Sequence, residues 1–236
     1  MKQQLQHRVL PLAKTLALAL ATLLPAGEAL AYQYHSGPGC GELYGLGQYG
    51  PYDYRTEKVM TPVVTGHHFT PVVENLQSGV KSDNPGEDID YTLRAIPNHA
   101  RALAAMQRLG ERDHTEQPKG TRFTVACYFE RAIRFRPDDN IVRMMYSDYL
   151  SKRKRFDEAV AQLDYVASTA DPENPMTQYN LALLYIEAGQ EDKARKCALK
   201  AESMGKQIAD LRAKLNMDAA PAAAAPASAA SGATPG

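Results

Sequence analysis

His67, His68, His99, Asp53, Asp88 and Asp90 include the side chains that a metal centre or an acid–base site would use. Imidazole nitrogens and carboxylate oxygens suit zinc and other divalent ions, and a histidine beside a carboxylate can move a proton near neutral pH. The spacing argues against such a centre. In a strand the adjacent His67 and His68 point to opposite faces, which puts one on the core and one in solvent. No His-x-His or His-x-x-x-His pair is present, and no Gly-x-Ser-x-Gly, Walker-type or His-Glu-x-x-His string occurs. The glycine-rich run at 45–50 is not followed by a helix and offers no phosphate cradle. The chain is therefore expected to be non-enzymatic, with no cofactor and no metal. The alternative is a metal-binding or enzyme-accessory module built on these histidines and aspartates.

Cysteines are the remaining reactive side chains, and their meaning depends on the compartment. Lys2, Arg8 and Lys14 precede an apolar run from Leu16 to Leu24, then Pro25-Ala26-Gly27 and the small residues Ala29 and Ala31. This order is that of a secretory signal over 1–31, cleaved before Tyr32. The run is about half the roughly 20 residues that cross a bilayer, so the mature chain is expected to have no transmembrane segment and to be periplasmic or secreted. There, Cys40, Cys127 and Cys197 are first of all disulfide candidates, and three allow only one internal bridge. Cys40 with Cys127 is the preferred pairing, since it would tie the N-terminal segment to the first helical hairpin and leave Cys197 within a helix; three free thiols is the alternative.

Balanced charge, 27 Lys+Arg against 27 Asp+Glu, excludes nucleic-acid binding through a basic domain. With 44% hydrophobic residues the chain can bury enough surface to fold. From Asp218 it is nearly all Ala, Pro, Ser, Gly and Thr, the composition of a disordered tail over 218–236.

The elements between are helical and repeat. Leu181-Ala182-x-x-Tyr185, Gly189, Ala194, Ala198 and Ala201 share a frame with Tyr146-Ser147-x-x-Leu150, Phe156, Ala159, Leu163 and Val166, and Ala159 and Ala194 are 35 apart. Val125, Phe129 and Ala132 form part of a third copy. The pattern resembles the tetratricopeptide repeat, a helical hairpin of about 34 residues whose small residues let paired helices approach. There are departures. No Trp opens a unit, Arg143 and Gln178 standing there instead, and Lys206 replaces a closing Pro. An all-α fold is expected: about three tetratricopeptide-type hairpins over 98–217, an irregular N-terminal segment over 32–97 packed on them, and a capping helix at Gln207–Leu215. Within that segment Thr70 suits a cap with Pro71 at the first helical position, Asp90 a cap for a turn to Ile96, and Asn98 the cap of the first repeat helix.

Together with the signal, the strings Cys40-Gly41-Glu42-Leu43, Tyr49-Gly50-Pro51-Tyr52-Asp53-Tyr54, His68-Phe69-Thr70-Pro71 and Tyr91 to His99 look like those of an exported bacterial tetratricopeptide-repeat family without established activity. The resemblance implies an envelope location, a protein or peptide partner there, and a concave groove lined by the first helix of each unit. On the frame above, the groove is expected to present Arg101, Arg108, Met144, Asp148, Lys152, Tyr179, Leu183 and Ile186, with Ile141, Ser151, Met176, Glu187 and Ala105 on the same face. It lacks the Lys/Asn clamp with which co-chaperone repeats take a C-terminal carboxylate. Two blander expectations compete: residues 32–97 fill the groove themselves, and the basic run Lys152-Arg153-Lys154-Arg155 is a solvated turn.

Overall fold

Alanines and large apolar residues spaced three and four apart give each segment after His99 one apolar stripe, and each such stripe lies on a helix. The computed structural model describes residues 40–45 and 49–218. The leader expected at 1–31 and the tail residues after Asp218 lie outside them. Among the described residues there are ten helices and no strand. Helices α1 (Met60–His68), α2 (Pro71–Glu74) and α3 (Gly86–Ala95) precede three hairpins: α4 (Ala100–Arg112) with α5 (Val125–Phe135), α6 (Asn140–Lys152) with α7 (Phe156–Thr169), and α8 (Pro175–Glu187) with α9 (Glu191–Ser203). A short α10 (Ala209–Lys214) follows. No helix among the described residues is long and apolar enough to cross a membrane.

The small residues do what their spacing suggests. Ala132, Ala159, Ala182, Ala194 and Ala201 are fully buried, and Phe129, Leu163, Leu181 and Tyr185 fill the space between helices. Arg143 occupies a position where the repeat pattern has a large opening residue. Its guanidinium lies 3.6 Å from the centre of the Tyr165 ring, while Nη1 donates to Gln162 at 2.7 Å and Nε to the Pro137 carbonyl at 2.8 Å. A stacked, hydrogen-bonded guanidinium thus covers the area an indole would cover.

Each hairpin turns the same way. After α4, α6 and α8 the backbone donates five residues back, from Thr115 to Gly110, Arg155 to Leu150 and Gln190 to Tyr185, at 3.0, 3.0 and 2.8 Å. The residue before each donor is left-handed: His114, Lys154 and Gly189, with φ of 51°, 60° and 71°. Glycine is the residue that takes this conformation without strain. Replacing Lys154, exposed at its turn, with glycine should therefore raise the unfolding free energy by up to about 1 kcal/mol. Urea denaturation would detect this as a higher midpoint; an unchanged or lower one would mean that the turn is not strained.

The N-terminal segment is more regular than its sequence suggests. Residues 60–68 form α1 rather than a strand, despite Val63, Val64 and Gly66, because Val64 seals a small cluster with Ala95 and Ile96 against Tyr52, Tyr54 and Tyr91. Tertiary packing overrides the local preference. Asp90 lies inside α3 and caps nothing. Thr70 precedes α2 with Pro71 at its first position, but its hydroxyl makes no capping bond. The cap of α4 is His99, not Asn98: its Nδ1 accepts from the Ala102 amide at 3.1 Å. Gly50 has φ +97°, and a Cβ there would stand 2.3 Å from the Ala95 carbonyl oxygen, so only glycine lets this stretch of chain meet α3. Cys40 and Cys127 are joined in a disulfide, with Cα atoms 5.1 Å apart, and Cys197 is a buried free thiol.

Candidate functional site

Helices α4, α6 and α8, the first of each hairpin, lie side by side and leave a groove of about 610 Å³ between them. Every described residue lining it comes from these three helices. α6 contributes Ile141, Met144, Met145, Asp148 and Lys152; α8 contributes Asn180, Leu183, Leu184 and Glu187; α4 contributes Ala104, Gln107, Arg108 and Glu111. The methionines and leucines make an apolar floor, and thioether side chains adapt to irregular partners. Charged side chains stand at the rim.

Of the eight side chains expected in the groove, Arg108, Met144, Asp148, Lys152 and Leu183 are brought together there. Three are elsewhere. Arg101 lies in a smaller pocket beside Thr70, Pro71 and His99, where its guanidinium pairs with the Glu74 carboxylate. Tyr179 donates to Asp210 of α10 at 2.5 Å, under the ammonium of Lys206 at 4.6 Å, so it belongs to the C-terminal cover. Ile186 packs partly buried against the core. On α4 the groove face is shifted by one residue, for Ala105 is fully buried and Ala104, Gln107 and Glu111 take its place. Ser151 is buried as well.

The rim is tightly paired. Lys152 Nζ lies 2.8 Å from Asp148 Oδ2 and 3.9 Å from Glu111 Oε1, and Gln107 Nε2 donates to the same two carboxylates at 3.0 and 3.1 Å. Burial is the largest influence and opposes the charge on Lys152, but the Asp148 hydrogen bond and the charges of Asp148, Glu111 and Glu187 together outweigh it and hold the ammonium above its usual pKa. Both arginines of the basic run are also occupied. Arg153 pairs with Glu116 at 2.9 Å over the Tyr149 ring, and Arg155 pairs with Glu158 at 2.7 Å. A run this well neutralised offers little net field to a membrane or nucleic acid.

The described residues of the N-terminal segment grip the edge of the groove, and none of them lines it. Arg108 and Arg112 donate to the carbonyls of Glu74 and Leu76 at 2.9 and 2.8 Å, which fastens α2 and the turn after it along the outer side of α4.

The six histidines and aspartates do not form one centre. Asn98 is the hub of a buried network, donating to Asp53 at 2.8 Å and to Asp139 at 2.9 Å. Burial would raise the pKa of Asp53, yet bonds from Arg55, Asn98 and Arg136 hold it well below the usual carboxylate range. Asp90 accepts from the Tyr128 hydroxyl and from Arg94 at 2.8 Å. His99 is enclosed between the Phe69 and Tyr54 rings, and burial pushes its imidazole down to about 4. Only His68 and Asp88 make a histidine–carboxylate pair, at 2.9 Å, with His68 stacked on Tyr91. Exposed His67 shares their polar pocket of about 560 Å³. Among the described residues one set of three ligand-type side chains is close enough for a metal, Cys40, Cys127 and Glu130, and its two sulfurs are bonded to each other. Such sulfurs supply no thiolate.

Of the four tyrosines at 44, 49, 52 and 54, the latter two pack on the small cluster, whereas Tyr44 and Tyr49 are exposed. Comparison with protein-family models and with curated proteins gives no match.

Proposed function

We propose that the chain is a non-enzymatic, exported binding module of the tetratricopeptide-repeat type, an adaptor or assembly factor that holds a peptide or protein segment in the groove of α4, α6 and α8. One observation carries the reading: the same helix of three successive hairpins contributes to a single apolar-floored groove that no described residue of the N-terminal segment fills. The recurrent left-handed turns and buried alanines support the repeat assignment, and the disulfide suits an oxidising compartment. Grooves of this kind take amphipathic helices or extended segments.

Site-specific photo-crosslinking tests it. A benzophenone side chain introduced at Leu183, on the groove floor, should form adducts with a partner in envelope fractions of producing cells. The same probe at Leu199, exposed on α9, should not. Met144→Asp, combined with the probe at Leu183, should reduce adduct yield roughly tenfold, the effect of losing one central apolar contact. Equal adducts from both positions, or adducts indifferent to Met144→Asp, would sink the assignment.

A further inference from the structure

One end of the groove carries more negative charge than the protein itself neutralises. Glu111, Asp148 and Glu187, one from each wall, converge there, with Lys152 as the only cation among the lining residues at that end. Lys152 is shared between Asp148 and Glu111. Glu187 has no ion pair among the described residues; Lys152 and Lys214 act on it only as more distant charges, and burial together with the Asp148 carboxylate beside it raises its pKa against them. The other cation of the lining, Arg108, one turn before Glu111 on α4, is engaged by the Glu74 carbonyl. Carboxylates crowded in this way repel each other, and a positive charge placed between them relieves the repulsion.

The remainder of the groove is apolar. From Ile141, half exposed at 51%, to Lys152 the α6 wall rises about 16 Å, enough for roughly five residues of extended chain over Met144, Met145, Leu183 and Leu184.

Resting on the groove function proposed above, we infer that the occupant is a segment of another protein, with apolar side chains over about five residues and a lysine or arginine that enters between Asp148 and Glu187. Its ammonium or guanidinium gives Glu187 the direct ion pair it lacks, while the apolar residues cover the methionines and leucines. A segment ending in a free carboxylate, or bearing acidic side chains at this end, meets three like charges and is rejected.

The probe is a displayed library of random 12-residue peptides, selected on the full chain and resynthesised for affinity measurement by fluorescence polarisation. Selected peptides should place Lys or Arg beside an apolar stretch and bind more weakly as salt is raised. Glu187→Gln should weaken them about fivefold, and Glu187→Lys should select acidic peptides instead. The Glu187 side chain reaches solvent at the end of the groove, so both variants should keep the parent's circular dichroism. Peptides without a cationic preference, or the same set selected by Glu187→Lys, would overturn the charge inference while leaving the groove in place, provided Leu183→Asp abolishes binding. Binding indifferent to Leu183→Asp, or no selectable peptide at all, overturns the groove function with it.

Discussion

Loss of the Cys40–Cys127 bridge should lower the unfolding free energy by up to about 4–5 kcal/mol, the loop-closure figure for cysteines 87 residues apart. The bridge also positions what lies around it. Arg131, fully buried, uses Nη1 to hold the carbonyls of Cys40 and Glu42 at 2.9 and 2.7 Å, beneath the Phe123 ring at 4.4 Å. Its Nε and Nη2 have no partner among the described residues, and burial with nearby Arg134 pulls its pKa down. A guanidinium placed so is tolerable while residues 40–42 are held over it. Once they are released, it is a buried charge without its acceptors, which destabilises further. Cys40→Ala, Cys127→Ala and the double variant should therefore show similarly lowered guanidinium midpoints, each matching the wild type under reductant. Cys197→Ala is a suitable background, since it removes the free thiol and with it disulfide exchange. Midpoints that coincide with and without reductant would show that the bridge does not stabilise the fold.

The second large effect is acid sensitivity from one histidine. His99 titrates at about 4 in the folded chain against an ordinary value of 6.5, because burial disfavours the imidazolium and Arg101 adds repulsion. As pH falls below 6.5 the unfolded chain takes up this proton and the folded chain does not, so stability falls with pH until about 4 and then levels. A gap of that width corresponds to roughly 3 kcal/mol. Protonation would also remove the acceptor that caps α4. Asp53 and Glu74, both held low by their partners, act in a different window. Their stabilising contributions persist above their ordinary values of 3.8 and 4.5 and are lost only in more acidic solution. Glu187, held above 4.5, acts in the opposite direction, so the loss of stability from pH 6.5 to about 4.5 is assigned to His99. His99→Asn keeps a capping oxygen and should flatten the pH dependence of the urea midpoint there, at a lower stability near pH 7 from lost contact with Phe69 and Tyr54. A slope that survives the substitution would assign the sensitivity to another group.

Periodicity made much of this molecule legible. Ala159 and Ala194, 35 apart, locate the hairpins because small residues are needed wherever helices cross closely, and the same frame places Met144, Asp148, Lys152 and Leu183 on one face. The frame fails on α4, where Arg101 and Ala105 fit the periodicity but stand outside the groove. That helix starts one residue later than Asn98 suggests, since histidine is not among the usual capping residues and gives no signal of a start. Asn98, freed from capping, instead joins Asp53 and Asp139, residues 45 and 41 positions away, which no local pattern exposes. Tyr179 fits the groove periodicity, but Asp210 captures it; a short terminal helix can redirect a side chain that the repeat alone would leave open. Helix α1 is hidden for the opposite reason. Its β-branched residues argue for a strand, and only the fit of Val64 against Ala95 and Ile96 decides otherwise.

The asymmetry of the N-terminal fastenings bears on how the groove behaves in motion. Disulfide, buried network and arginine clamps all fall on α4, α5 and the start of α6, whereas α8 is held by hairpin packing, by the Tyr185 hydroxyl on Asp164 of α7 and by the surface link of Tyr179 to Asp210. Fastened in this way, two walls should stay rigid while the third yields. Amide exchange in such a stack is slowest at the fastened end and quickens toward α10. A groove with one yielding wall adjusts its width to side chains of different girth, while Asp148 on a rigid wall keeps the charge contact in register.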